Sequence, residues 1–165
     1  MTARDAFETM RQRILAKALV LVPFDGWSEG VLMAAAEEAG YARAMALDAF
    51  PGGVPDAIDY AALSADRSML AALEGSEGFA SLRRRERIAL AIRRRLELSA
   101  PHREAIRRAL TLLALPHNAP LGLKLLWRTV DAIWYAAGDS STDFNFYTKR
   151  GLLAGVYSAT VVYWL

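Results

Sequence analysis

The sequence predicts an all-α protein of one domain, and three observations carry that prediction. Alanine, leucine and arginine, all strong helix formers, number 31, 23 and 17 of the 165 residues. The β-branched isoleucine, valine and threonine together number 21, too few for a strand-rich protein. No Asn-Gly hairpin and no sustained apolar–polar alternation argues for a sheet. The length fits one domain of roughly 100–200 residues, and a composition 54% hydrophobic supplies a sizeable core. Cysteine is absent, which excludes disulfides, a thiol nucleophile and thiolate-ligated metal.

Phe7, Met10, Ile14, Ala18 and Leu21 recur at steps of three and four and predict a first helix, with Thr2 and Asp5 as a capping pair and Pro23, Asp25 and Gly26 as its stop. Ser28 caps a second helix that ends at Gly40. A third covers Tyr41 to Phe50 and stops at Pro51-Gly52-Gly53. Pro55, in a first-turn position, opens a fourth that runs to about Leu73, and Glu74 to Gly78 reads as a linker. Longer helices follow over 81–99 and 101–115, the latter opened by Pro101. Asn118 and Pro120 introduce another that reaches Ala137, and Ser141, Thr142 and Asp143 cap the last. That helix runs out at Trp164-Leu165 without a capping residue, which predicts that the natural protein continues.

The formal net charge of +2 is unevenly spread. Residues 1–24 carry +2, residues 25–77 carry −8, residues 78–108 carry +7 and the remainder +1. The first three helices have the order of a helix-turn-helix, yet the candidate recognition helix offers one arginine, one aspartate and many alanines within the acidic stretch. Phosphate repulsion argues against a DNA reader, so no nucleic-acid partner is expected. Arg83, Arg87 and Arg94 share a helix face and predict a solvated belt, or one attracted to anionic lipid or an acidic partner. Residues 1–25 lack the pattern of a signal or transit peptide, and the fifteen uncharged residues from Gly151 to Leu165 fall short of the roughly 20 needed to span a bilayer.

Chemical motifs are few. Gly26-Trp27-Ser28-Glu29-Gly30 fits the G-x-S-x-G pattern, but its flanks are helical and Ser28 reads as a helix cap. His102 and His117, the only histidines, lack the partners of a metal site. No catalytic residue, metal or cofactor is expected, and the protein reads as a non-enzyme. The richest segment is the last third. Leu121 to Ala137 is apolar almost all round apart from Lys124, Arg128 and Asp131, and Gly151, Gly155 and Ala159 allow close backbone approach along the final helix. This pattern fits an ordinary packed core or an apolar ligand pocket.

The strings FPGGVPDAIDY, RERIALAIRRRLEL, LLALPHNAPLGLKLLWRTVDAIW and AAGDSSTDFNFYTKRGLLAGVYS closely resemble the ubiquinone (coenzyme Q) biosynthesis accessory family, the ninth of the numbered coenzyme Q proteins and its bacterial relatives. The resemblance implies a TetR-regulator-like fold, with a degenerate helix-turn-helix over 1–53 followed by a helical lipid-binding subdomain over 54–165. It implies binding of isoprenoid quinone intermediates or phospholipid, and support of the demethoxyubiquinone hydroxylase rather than catalysis. The family's signature surface carries over to Asp131, Trp134, Asn145, Tyr147 and Thr148-Lys149-Arg150, with Phe146 where relatives often have tryptophan. That surface is the expected hydroxylase contact, and a lipid cavity is expected among Ile88, Ile92, Leu110, Leu123, Trp127, Val130, Leu153, Val156 and Tyr157. The family's C-terminal amphipathic helix, implicated in membrane contact, is not present in this chain. The expected setting is the bacterial cytoplasm or the periphery of the inner membrane, with a homodimer possible for a TetR-like fold. Two other classes remain open: a TetR-type ligand-responsive transcriptional regulator, and a pocketless interaction protein whose final helix dimerises.

Overall fold

The computed structural model describes residues 2–139 and 144–165, and among them all regular structure is helical. The order is α1 (Ala3–Asp25), α2 (Glu29–Glu38), α3 (Met45–Ala49), α4 (Val54–Glu74), α5 (Arg84–Ser99), α6 (Arg103–Leu113), α7 (Ala119–Ala136) and α8 (Phe144–Trp164). Short 3-10 turns at Phe79–Ser81 and Ala100–His102 precede α5 and α6. The all-helical class, compatible with a TetR-like arrangement, agrees with the composition. No helix among the described residues is long and apolar enough to cross a membrane.

Local chemistry explains the helix ends. Thr2 Oγ1 accepts from the Asp5 N–H at 3.1 Å, while Asp5 Oδ2 accepts from the Thr2 N–H at 2.8 Å, a reciprocal capping box. The Thr2 N–H bond, and then the Thr2 hydroxyl, hold the Asp5 carboxyl below its ordinary pKa. Helix α1 passes through Pro23 instead of breaking there, because Val22 is packed against Val31 and Ala105; it ends at Gly26, at a φ of +77°. Helix α2 closes in a Schellman motif: Gly40, at a φ of +84°, donates to Glu37 O at 3.0 Å, and Tyr41 donates to Ala36 O at 2.9 Å. After that closure the chain makes i→i−3 turns, with Met45, Ala46 and Leu47 donating to Ala42, Arg43 and Ala44, so α3 starts at Met45 rather than Tyr41 and has five residues. The caps expected for α8 at 141–143 lie outside the described residues.

The chain divides into two compact units, residues 1–61 with 102–119 and residues 62–101 with 120–165. The division is not the expected cut at 53/54. Pro51-Gly52-Gly53 marks the start of a helix, not the edge of a core: Ala57 and Tyr60, in the first turns of α4, bury against Ile14, Ala35 and Phe50. Helix α6 returns to the same unit, where Ala105 packs on Val22 and Val31 and its carbonyl accepts from Trp27 Nε1 at 3.0 Å.

The first unit has an alanine-rich core around Ile14 and Phe50, where small side chains let helices approach closely. Its polar groups stay near the edge. Arg11 pairs with Asp56 at 3.1 Å and lies 4.2 Å from the Tyr60 ring centroid, while Tyr60 Oη donates to Glu8 at 3.0 Å. Burial, then the Glu8 bond, push the Tyr60 pKa up to about 12. The second unit packs Met69 and Leu73 of α4, Ala91 of α5, Val130 and Ile133 of α7, and Leu153 and Tyr157 of α8.

Candidate functional site

The second unit joins the end of α7 to the start of α8 through a lattice of charges. Asp139, its side chain almost fully enclosed, accepts from Lys149 Nζ at 3.0 Å and from Arg150 Nη1 at 3.2 Å. Arg150 also donates through Nε to Asp131 at 2.7 Å and through Nη1 to the Phe146 carbonyl at 3.3 Å. Its guanidinium lies 3.4 Å from the Phe146 ring centroid. Trp134 Nε1 donates to the Lys149 carbonyl at 3.3 Å, with Lys149 Nζ 5.8 Å from the Trp134 ring centroid.

This lattice carries aromatic rings. Phe146 and Tyr147 meet edge-on at 5.1 Å, and Tyr147 stacks with Trp127 of α7 at 6.3 Å and 30°. Tyr147 remains 65% exposed and Leu123, one turn before Trp127 on α7, 67% exposed. The result is an apolar and aromatic surface held by buried charge pairs. Rings fixed in this way can meet an apolar ligand or a partner side chain with little loss of conformational entropy.

The residues expected at a partner surface therefore fall into two roles. Asn145 and Tyr147 are exposed, and Phe146, Asp131 and Trp134 are partly buried. Arg150 is only 3% exposed, so it holds the surface instead of presenting itself on it. The buried Asp139 belongs to the same lattice and was missed. The available signal was a lone acid after Gly138 and ten residues before the Lys149-Arg150 pair.

The nine residues expected to line one cavity do not come together as one lining. Val130, Leu153 and Tyr157 are core residues, with Ile88 and Ile92 packed against them. Leu123, Trp127 and Val156 face solvent, and Leu110 is an exposed residue of the other unit. The helix period alone does not make this division: Val130 shares a face of α7 with Leu123 and Trp127, yet only Val130 is fully covered, and an almost wholly apolar sequence does not say where along a face the cover lies.

A second polar cluster lies inside this unit. Asp66 of α4 accepts from Arg95 Nε at 2.9 Å and from Thr129 Oγ1 at 2.9 Å, and Arg128 Nε approaches its other oxygen to 3.5 Å. Arg95 also donates to Ser99 Oγ at 2.6 Å. Burial raises the Tyr157 pKa; the charge of Arg95 opposes this and that of Asp66 adds to it. Asp66 and Arg95 stand at stripe positions, Asp66 before Met69 and Leu73 and Arg95 after Ala91, which was the readable signal.

The expected arginine belt is dispersed. Arg95 is in the core, Arg94 pairs with Glu97 at 2.9 Å, and Arg87 donates to the carbonyls of Leu82, at 2.9 Å, and of Ala80. Arg83, Arg84, Arg85 and Arg93 are exposed. Ser28 serves as the α2 cap, accepting from the Val31 N–H at 3.2 Å, which accounts for the G-x-S-x-G match. His102 is partly buried and burial lowers its pKa; His117 is exposed. Among the described residues no group of side chains is arranged to hold a metal ion.

Comparison with known proteins gives a consistent kinship. Residues 119–165, which carry α7 and α8, match the COQ9 family. The chain is 35% identical over 162 residues to the ubiquinone biosynthesis protein COQ9 of Homo sapiens, covering 94% of this chain and 51% of that protein. It is 34% identical over 162 residues to the protein of that name in Bos taurus, covering 94% and 50%. With its counterpart in Drosophila melanogaster it shares 30% identity over 161 residues, covering 96% and 49%. All three relatives are named as mitochondrial, and the chain spans about half the length of each. By these matches the chain is similar to COQ9 proteins over nearly its whole length, and to the COQ9 family model over α7 and α8.

Proposed function

We propose that this chain acts in ubiquinone biosynthesis as a lipid-handling accessory protein without catalytic groups of its own. In this reading it binds isoprenoid quinone intermediates and presents them to the demethoxyubiquinone hydroxylase. The observation that carries the reading is the exposed aromatic surface of Trp127 and Tyr147, braced by Arg150 and Asp139 within the segment that matches the COQ9 family. The exposed Leu123, Trp127 and Val156 receive the isoprenoid tail, and Asn145, Phe146 and Tyr147 face the hydroxylase. Each methylene-sized group of a tail that leaves water gains about 0.8 kcal/mol, so a few isoprene units hold a long-tailed precursor.

The test is extraction of the purified protein with organic solvent, followed by lipid mass spectrometry against a heat-denatured control. Isoprenoid quinones at near-stoichiometric level are expected, falling at least tenfold in Trp127→Ala. Tyr147→Ala should keep the lipid and weaken capture of the hydroxylase. Lipid content unchanged in a folded Trp127→Ala variant would overturn the tail-binding surface, and hydroxylase capture unchanged in Tyr147→Ala would overturn the partner surface.

A further inference from the structure

An open apolar hollow of about 410 Å³ lies in the first unit, between the N-terminal half of α1 and the segment from Tyr41 to Met45. Phe7, Met10, Tyr41 and Met45 give it an apolar lining, and Arg13 stands in its wall. From Arg13 the same face of α1 continues at helical steps through Lys17, Val20 and Phe24. All four side chains are exposed, Phe24 to 81%. Among the described residues neither Arg13 nor Lys17 makes an ion pair, whereas Arg11, on the inner face of the helix, is paired with Asp56.

The acids of this unit lie elsewhere. Glu29, Glu37, Glu38 and Asp48 are on α2 and α3, Asp56 and Asp59 on α4 and Glu104 on α6; Asp5 is engaged by Thr2, Glu8 accepts from Tyr60 on another side of α1, and Asp25 projects about 100° around the helix from Phe24. The α1 face thus joins two cations to exposed apolar side chains and an apolar hollow, with no carboxylate between them. Water solvates the cations well but not Phe24, Val20 or the hollow. An acidic protein surface would pair with the cations and leave the apolar groups uncovered. A bilayer with anionic headgroups satisfies both, because charge and hydrocarbon lie within a few ångströms of each other at its surface.

We propose that this face of α1 is a docking surface for anionic membranes. Arg13 and Lys17 meet headgroup phosphates, Val20 and Phe24 enter the headgroup–acyl boundary, and the hollow takes the end of one acyl chain. The surface lies in a different unit from the proposed quinone and hydroxylase site and does not depend on it.

The test is flotation of the chain with phosphatidylcholine vesicles and with vesicles containing one third phosphatidylglycerol, at low salt. Binding is expected only with phosphatidylglycerol and should fall as salt rises. Each cation near an anionic leaflet strengthens binding by about fivefold, so R13E/K17E should weaken it by roughly twentyfold or more. The conservative R13K/K17R should retain it. V20S/F24S, at exposed positions compatible with folding, should weaken binding about tenfold, and F24W should show blue-shifted emission and quenching by brominated lipid. A charge reversal on α5, R84E/R93E, serves as the control and should leave binding unchanged. Equal binding to both vesicle types would overturn the proposal, as would loss in the α5 variant with none in the α1 variants. Lipid extraction of the same samples reads quinone loading separately, so the two proposals fail independently.

Discussion

In the unit formed by residues 1–61 and 102–119, Ile14, Phe50 and a set of alanines fill the interior while the ion pair of Arg11 and Asp56 stays part-buried at its edge. In the unit formed by residues 62–101 and 120–165, Asp66 and Arg95 lie within the core and bind one another, and Asp66 also accepts from Thr129. An apolar interior tolerates variation because its contacts are non-directional and share the load among many atoms. A buried charge pair is all-or-none, since removing one member leaves the other desolvated without compensation. The second unit, which carries the candidate site, therefore has the more specifically determined interior.

The largest expected effect tests that difference directly. Asp66→Ala should cost about 3–5 kcal/mol, read as a lowered urea midpoint, because Arg95 remains buried. Adding Arg95→Met to Asp66→Leu should recover much of the loss, since an apolar pair removes both desolvated charges. If the double variant is no more stable than Asp66→Leu alone, the network's value lies in geometry and not in charge pairing. In the other unit, Ile14→Val should cost about 0.5–1.5 kcal/mol with no dependence on a partner substitution. Ser28→Ala should cost about 1 kcal/mol through loss of the α2 cap. The smallest effect concerns pH. Burial lowers the His102 pKa from 6.5, so the folded state resists protonation and its contribution is fully present above 6.5. Stability should decline as pH falls from 6.5 through the lowered folded value, and His102→Gln should flatten that part of the curve.

Much of the fold was legible because its signals are local. The Thr2–Asp5 box, the Ser28 cap and the Gly26 and Gly40 stops each act within a few residues, and each is found where it was read. α3 starts later than the sequence predicts because tight i→i−3 turns at Met45, Ala46 and Leu47 come before its first α-helical bond. The compact units do not part at 53/54, because α4 contributes residues to two cores and burial over dozens of residues leaves no punctuation. At the site, the aromatic rings and Arg150 were identified, but not that Arg150 is enclosed. That depends on Asp139 and Asp131 approaching from α7 and its end. The dispersal of the nine apolar residues has the same origin, since a helix apolar on most sides conceals where its cover lies.

Gly151 and Gly155 of α8 are exposed, and a Cβ added at either would meet nothing within 4 Å. Glycine inside a helix costs about 1 kcal/mol relative to alanine, so α8 forgoes roughly 2 kcal/mol of helix-forming tendency at two places where alanine would fit. Its middle turns depend on packing of the opposite face, through Leu153 and Tyr157, to remain wound. Amide exchange there should be faster than in a G151A/G155A helix, and a contact that covered the bare face would slow it. The two glycines give α8 a built-in reporter of occupancy, readable in exchange rates without any change in backbone path.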